Sequence, residues 1–214
     1  MKRIVPALGI AAAIATVPGG SASILTNGDF ETPVGAEWNL VSGAAGGFAT
    51  VQTIPDVNGV DTQVLFMNDN APDGGAGFGV PRAEQTFASQ SGTVVFSFDF
   101  TPASAGGFPQ WVQFKDGGVN GTEVFRVDVS SNRVGFFAPT SFIEVADING
   151  DPANDVSDWY NVTATIDLAA GTATGSVTNL TDGTDLTTGG FASGLNILGG
   201  AGLSIDALQD RKRP

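Results

Sequence analysis

The second half of the chain alternates apolar and polar side chains with a period of two. In Gly92–Thr101, GTVVFSFDFT, Val94, Phe96, Phe98 and Phe100 share one side, while Val95, Ser97, Asp99 and Thr101 share the other. That period is what a strand with one face in a core requires. Trp159–Leu168 repeats it, with Tyr160, Val162, Ala164, Ile166 and Leu168 opposing Asn161, Thr163, Thr165 and Asp167. Between them, Gln110–Lys115 sets Val112 and Phe114 against Trp111, Gln113 and Lys115. Glu123–Val129 sets Phe125, Val127 and Val129 against Val124, Arg126 and Asp128. Arg133–Ala138 and Phe142–Ala146 read as shorter strands. Asp116-Gly117-Gly118, Asn120-Gly121 and Ser130-Ser131-Asn132 supply turns, and Ala169-Ala170-Gly171 folds Thr172–Leu180 back as a hairpin. With Ile24–Glu31, Gln63–Asn68, Arg82–Phe87 and Leu203–Leu208 the count comes to roughly ten strands of ordinary length. No long stretch has helical period. The pattern predicts an all-β, two-sheet antiparallel β-sandwich of jelly-roll type.

The first 23 residues depart from this pattern. Lys2 and Arg3 precede an apolar run, Ile4–Val17, which ends in small residues at Ser21-Ala22-Ser23. That run is shorter than the roughly 20 residues a spanning helix needs, so it reads as a secretory signal rather than a membrane anchor. The expected organisation is a signal over residues 1–23, one domain over 24–210 and a short disordered basic tail over 211–214. A domain of about 190 residues buries a sufficient core without disulfides, which fits the absence of cysteine.

Composition narrows the chemistry. There is no histidine and no cysteine, so Ser-His-Asp triads, cysteine nucleophiles, imidazole bases and His/Cys zinc sites are excluded. All 22 acidic residues follow the signal, whereas residues 24–210 hold only Arg82, Lys115, Arg126 and Arg133 as cations. Such a chain repels phosphate and attracts divalent cations. Nucleic acid is therefore not an expected partner, and neither is stable membrane insertion.

Two stretches resemble known families. Ala83–Pro102, AEQTFASQSGTVVFSFDFTP, followed by WVQFKDGGVNGTEVFRVDV and DWYNVTATIDLAAGTATGSV, resembles the concanavalin A-like (laminin G-like) jelly roll. Trp159-Tyr160-Asn161-Val162, then Ile166-Asp167-Leu168 and Gly171-Thr172, carry the likeness best. The start ILTNGDFETP resembles exported bacterial PEP-CTERM proteins and galactose-binding-like carbohydrate-binding modules. Ser204-Ile205-Asp206-Ala207-Leu208 sits where those modules place a closing strand. The Pro-Glu-Pro, apolar helix and arginine cluster of PEP-CTERM proteins do not follow Leu208. These resemblances imply a bacterial protein, secreted or held at the cell surface.

Three groups of residues are candidates for binding. Asp147, Asn149, Asp151, Asp155 and Asp158 stand at positions 1, 3, 5, 9 and 12 of a twelve-residue loop, a spacing that wraps a calcium ion in oxygens. Pro152 replaces the turn glycine, and a plain polar loop is the competing reading. Asn27, Asp29 and Glu31 with Asp206 form a second candidate calcium site, implied by the galactose-binding-like resemblance. The competing reading there is a turn with Phe30 in the core. For polysaccharide or glycan, Asp99, Trp111, Gln113, Arg126 and Asp128 are expected on outward faces, an indole for stacking on a sugar ring beside polar groups for its hydroxyls. Trp111 covering a sheet edge is the bland alternative, and Trp38 and Trp159 read as core or rim.

The Glu-x-Asp-x-x-Glu strand of concanavalin-like glucanases is absent, so no catalytic residue is assigned, although a hydrolase using two carboxylates stays open. The expectation is a secreted, non-catalytic, lectin-like carbohydrate-binding module stabilised by structural calcium. The alternative is a structural cell-surface or biofilm matrix protein without a small ligand.

Overall fold

The computed structural model describes residues 8–17, 20–23, 25, 30, 34–43, 47–68, 81–102, 110–130, 132–148 and 158–212; of these, residues 8–17, 20–23, 68, 102, 189, 211 and 212 are described by their backbone alone. The described chain is all-β but for one short helix. Its strands are β1 (Leu8–Val17), β2 (Gly20–Ser23), β3 (Asn39–Val41), β4 (Phe48–Pro55), β5 (Asp61–Asn68), β6 (Arg82–Gln90), β7 (Thr93–Pro102) and β8 (Gln110–Asp116). They continue with β9 (Thr122–Val129), β10 (Arg133–Ala138), β11 (Ser141–Asp147), β12 (Tyr160–Asp167), β13 (Thr172–Asn179), β14 (Leu195–Asn196) and β15 (Ile205–Lys212); α1 is Gly189–Ser193.

These strands form two antiparallel sheets. Sheet A has the order β14-β13-β12-β7-β1-β5-β4, with β2 paired to β1, and sheet B the order β11-β10-β9-β8-β15-β6-β3. Apart from Ile24–Glu31, the strands expected from the sequence are present, most with ends shifted by a residue or two. Sequence pattern did not indicate β3, β4 or β14, which are short or weakly alternating. Nor did it indicate β1 and β2, which fall within the segment read as an export signal.

Why the alternating strands form a sandwich is seen in their burial. Val94, Phe96, Phe98 and Phe100 of β7 and Tyr160, Val162, Ala164 and Ile166 of β12 are almost wholly inaccessible, as are Val112, Phe114, Phe125 and Val127 from sheet B. The two layers meet ring against ring. Phe96 of sheet A stands edge-on to Phe114 of sheet B at 4.7 Å and 89°. From Phe114 a line of rings runs along sheet B through Phe125 and Phe136 and on to Phe191 of α1, at 6.2, 5.3 and 6.0 Å. Each buried phenyl contributes about 2–3 kcal/mol through removal from water, and edge-on pairing adds a smaller amount. Trp38 and Trp159 are buried, as read from the sequence.

Two expectations are corrected. Residues 211 and 212 are not a disordered tail: β15 runs through Lys212, because β6 and β8 offer it hydrogen-bonding edges on both sides, at Arg211↔Arg82 and Arg211↔Trp111. Of Ile24–Glu31, expected as a strand, only Leu25 and Phe30 are described. Both are buried, and Phe30 has a left-handed φ of 58°, held against Trp38 at 5.0 Å.

Candidate functional site

The outward face of sheet B gathers the polar and aromatic side chains that the core excludes. Register lays them in two rows. One row crosses the sheet as Asn39, Glu84, Gln209, Gln113 and Arg126. The other runs from Arg82, across the backbone of Arg211, to Trp111, Asp128, Gly135 and Glu144. Alternation fixes which side each residue takes, and strand order makes them neighbours although they come from seven separate strands.

The first row is tied by hydrogen bonds. Glu84 receives Asn39 Nδ2 at 2.9 Å, Arg82 Nε at 2.6 Å and Gln209 Nε2 at 2.6 Å. Burial pushes the Glu84 carboxyl up, but these donors outweigh it and hold the group below the usual carboxylate range. Gln113 Nε2 donates to Glu123 Oε2 at 2.8 Å, and the Arg126 guanidinium pairs with Glu123 and Asp128 at 3.3 and 3.4 Å. Both amide nitrogens thus point to carboxylates on either side. Among the described residues, the amide oxygens of Gln113 and Gln209, opposite each other on adjacent strands, are buried and accept no hydrogen bond. Buried acceptors of this kind normally meet water or a ligand donor.

Around Arg126, where the first row reaches β10 and β11, the face is aromatic. The Arg126 guanidinium carbon lies 4.6 Å from the Trp111 ring centre and 3.3 Å from that of Phe137. Phe137 packs edge-on to Phe142 at 5.3 Å, and Arg133 covers Phe142 at 4.6 Å. A methyl group at position 135 would overlap the Phe142 ring, so only glycine lets that ring lie down on the sheet. The result is a stack of guanidinium and aromatic planes, the arrangement cation–π attraction favours.

The structure brings Trp111, Gln113, Arg126 and Asp128 together and separates Asp99 from them. Asp99 lies on β7, in sheet A, on the opposite outer surface of the sandwich. Alternation showed that all five point outward, but it carries no information on which sheet a strand joins. Asp99 belongs to a polar ladder with β12. Asn161 Nδ2 donates to it at 2.6 Å and to Ser97 at 3.0 Å, and Ser97 meets Thr163 at 2.9 Å. Burial raises its carboxyl, with the Asn161 bond opposing. Glu84, Glu123, Gln209, Phe137 and Phe142 were not among the sequence candidates, because only strand order makes them neighbours of Trp111.

Behind the same strands, on the inward side, sits a second buried carboxyl. Asp210 is fully enclosed beside a small cavity lined by Phe30, Trp38, Leu65, Phe96, Val112 and Leu208. Burial pushes it up to about 8, opposed only by Gln110, whose Nε2 reaches both carboxyl oxygens at 2.8 and 2.7 Å. It is a carboxylic acid at neutral pH and binds no cation in that state.

For the calcium candidates, Asp147 ends β11 exposed, and Asp158 is buried and receives Asn179 Nδ2 at 3.3 Å. Asn149, Asp151 and Asp155 lie outside the described residues. Asp206 accepts the backbone N–H of Gly118 at 2.8 Å, which pins the β8–β9 turn to the start of β15. Its proposed partners Asn27, Asp29 and Glu31 also lie outside the described residues. Among the described residues, no three acidic groups cluster as a metal site would require, and no helix is long and apolar enough to cross a membrane.

The chain matches no protein-family model and no curated protein.

Proposed function

We infer that this protein is an exported, lectin-like module that binds neutral glycan across the outward face of sheet B. One observation carries the reading. All four basic residues between 24 and 210 lie on the strands of that sheet, beside the half-buried rings of Trp111, Phe137 and Phe142, and three of the four pair with a carboxylate. Lys115 donates to the carbonyl of Val119. A surface so balanced has little field to attract an anionic polymer, yet it offers rings for the apolar face of a sugar and amide and guanidinium groups for its hydroxyls. A general acid is less well supplied: Glu84 is held below the ordinary range, the opposite of what a glycosidase proton donor needs.

Export rests on the basic start, the apolar run and the small residues at 21–23. A structural calcium rests on the oxygen spacing of the 147–158 loop; millimolar calcium should raise the melting temperature, and an unchanged value removes the ion from the proposal. The jelly-roll resemblance to concanavalin A-like domains supports the same class of function.

A glycan array separates this reading from its rival. Trp111→Ala should lose the wild-type binding profile, while Asp99→Asn, on the other sheet, should keep it. Identical profiles for wild type and Trp111→Ala would sink the proposal. The rival is a matrix or envelope component with no small ligand. It draws support from the Arg126 guanidinium lying on the Trp111 ring and from the complete burial of Gln113, both signs of a face that is already filled.

A further inference from the structure

Strand β1 is bonded along both flanks. On one side it runs antiparallel to β7 through seven paired positions, from Leu8↔Pro102 to Thr16↔Val95. On the other it runs antiparallel to β5, at Gly9↔Phe66 and Ile10↔Leu65. The walls β5 and β7 therefore point the same way, in a molecule whose strand pairs are all antiparallel. Without β1 they would face each other as two open edges, about 9–10 Å apart, which is two strand spacings and the width of one missing strand. Closing the gap would place a parallel pair in the middle of the sheet and force Leu65 and Met67 of β5 against Phe98 and Phe100 of β7, all of them already buried. The residues that fill the space, LGIAAAIATV, carry no charge and are the same residues that read as the apolar part of an export signal.

We propose that the space between β5 and β7 is a strand-acceptor site, whose ligand is one extended, uncharged segment of small and β-branched residues bound antiparallel to both walls. Leu8–Val17 occupies it in cis. A chain that loses this segment through signal cleavage takes the replacement strand from another polypeptide of the same chemistry. Main-chain bonds on two sides supply the affinity and the strand's lack of charge supplies the selectivity, as in other cases of strand addition. An unfilled slot is a pair of exposed edges, the feature that drives chains to associate. The proposal is independent of the glycan reading, which concerns the other sheet.

The test uses the full chain with a specific protease site placed over residues 18–24. After cleavage, the N-terminal fragment should co-elute with the body on gel filtration, one fragment per chain. Excess fluorescent LGIAAAIATV peptide should exchange into the complex. The same peptide with proline at the positions of Ala11 and Ala15 should not, because proline cannot serve inside a central strand. If the fragment leaves while the body keeps its circular dichroism and takes up no peptide, the proposal is overturned. If the body unfolds or associates on losing the fragment, recovery of the folded monomer by added peptide supports it, and failure to recover overturns it.

Discussion

The two sheets share one core and differ in everything that faces outward. The strands of sheet A contain no lysine or arginine, and the described outward face of β7 and β12 is a ladder of Ser, Thr, Asn and Asp that satisfies itself. Sheet B carries Arg82, Lys115, Arg126 and Arg133, the stacked rings, and two amide oxygens with no donor among the described residues. A sandwich needs only that both inner faces be apolar, so its outer faces are free to diverge. Where one closes on itself and the other keeps capacity for further hydrogen bonds, the second is the place to look for a ligand.

The largest effect comes from the seam that both sheets depend on. Phe114→Ala removes the ring that meets Phe96 across the interface and Phe125 along it. It should cost about 3–5 kcal/mol, read as a fall in the midpoint of denaturant unfolding with little change in slope. A loss below about 1 kcal/mol would mean that the layers do not share a single core.

A smaller effect distinguishes the two sides of sheet B. Asp210 has a folded value near 8 against an ordinary 3.8. Below about 4 the carboxyl is protonated whether the chain is folded or not, and it costs nothing. As pH rises toward 8 the unfolded chain ionises first while the buried carboxyl keeps its proton, so stability falls across that range and then levels off. Asp210→Asn should flatten that decline, matching wild type at pH 4 and exceeding it in melting temperature at pH 8. Parallel profiles for the two proteins would place water at Asp210. Glu84, on the outward side of the next strand, shifts the other way. Its contribution is present above its ordinary value and is lost as pH falls through the lower folded value.

Much of this could be read from the residues in order. Alternation located β7, β8, β9, β10, β12 and β13 and the side each residue takes, because a period of two is set by the strand itself. What alternation cannot encode is which strand lies beside which. Asp99 and Trp111 both read as outward, and they stand on opposite surfaces because β7 joins β12 while β8 joins β15 and β9. Glu84 was invisible as a partner of Gln209 for the same reason, the two being 125 positions apart. Nothing in the order of residues marks Asp210, the last position of the expected domain, as buried. Its burial follows from β15 running on between β6 and β8, a consequence of edges that only the assembled sheet provides. Leu8–Val17 illustrates a different ambiguity: a short uncharged apolar run satisfies the requirements of a signal and of a central strand alike.

The finest comparison applies one chemical change to each outer face. Glu84→Gln and Asp99→Asn both replace a carboxylate by an amide of the same shape. Glu84 holds three donors, one of them the Arg82 guanidinium. Its replacement removes a charge-assisted bond and turns an amide N–H either toward the donor of Asn39 or toward those of Arg82 and Gln209, so a loss of about 1–3 kcal/mol is expected at pH 7. Asp99 accepts from Asn161, and burial already disfavours its charge. An amide oxygen accepts from Asn161 equally well and needs no solvation of a charge, so Asp99→Asn should change stability by less than about 0.5 kcal/mol, in either direction. Thermal melts of the two variants at pH 7 decide it. Equal losses would mean that the outward faces are held by the same kind of contact, and the distinction between a self-satisfied sheet and a ligand-ready one would then rest on the stacked rings of Trp111, Phe137 and Phe142 alone.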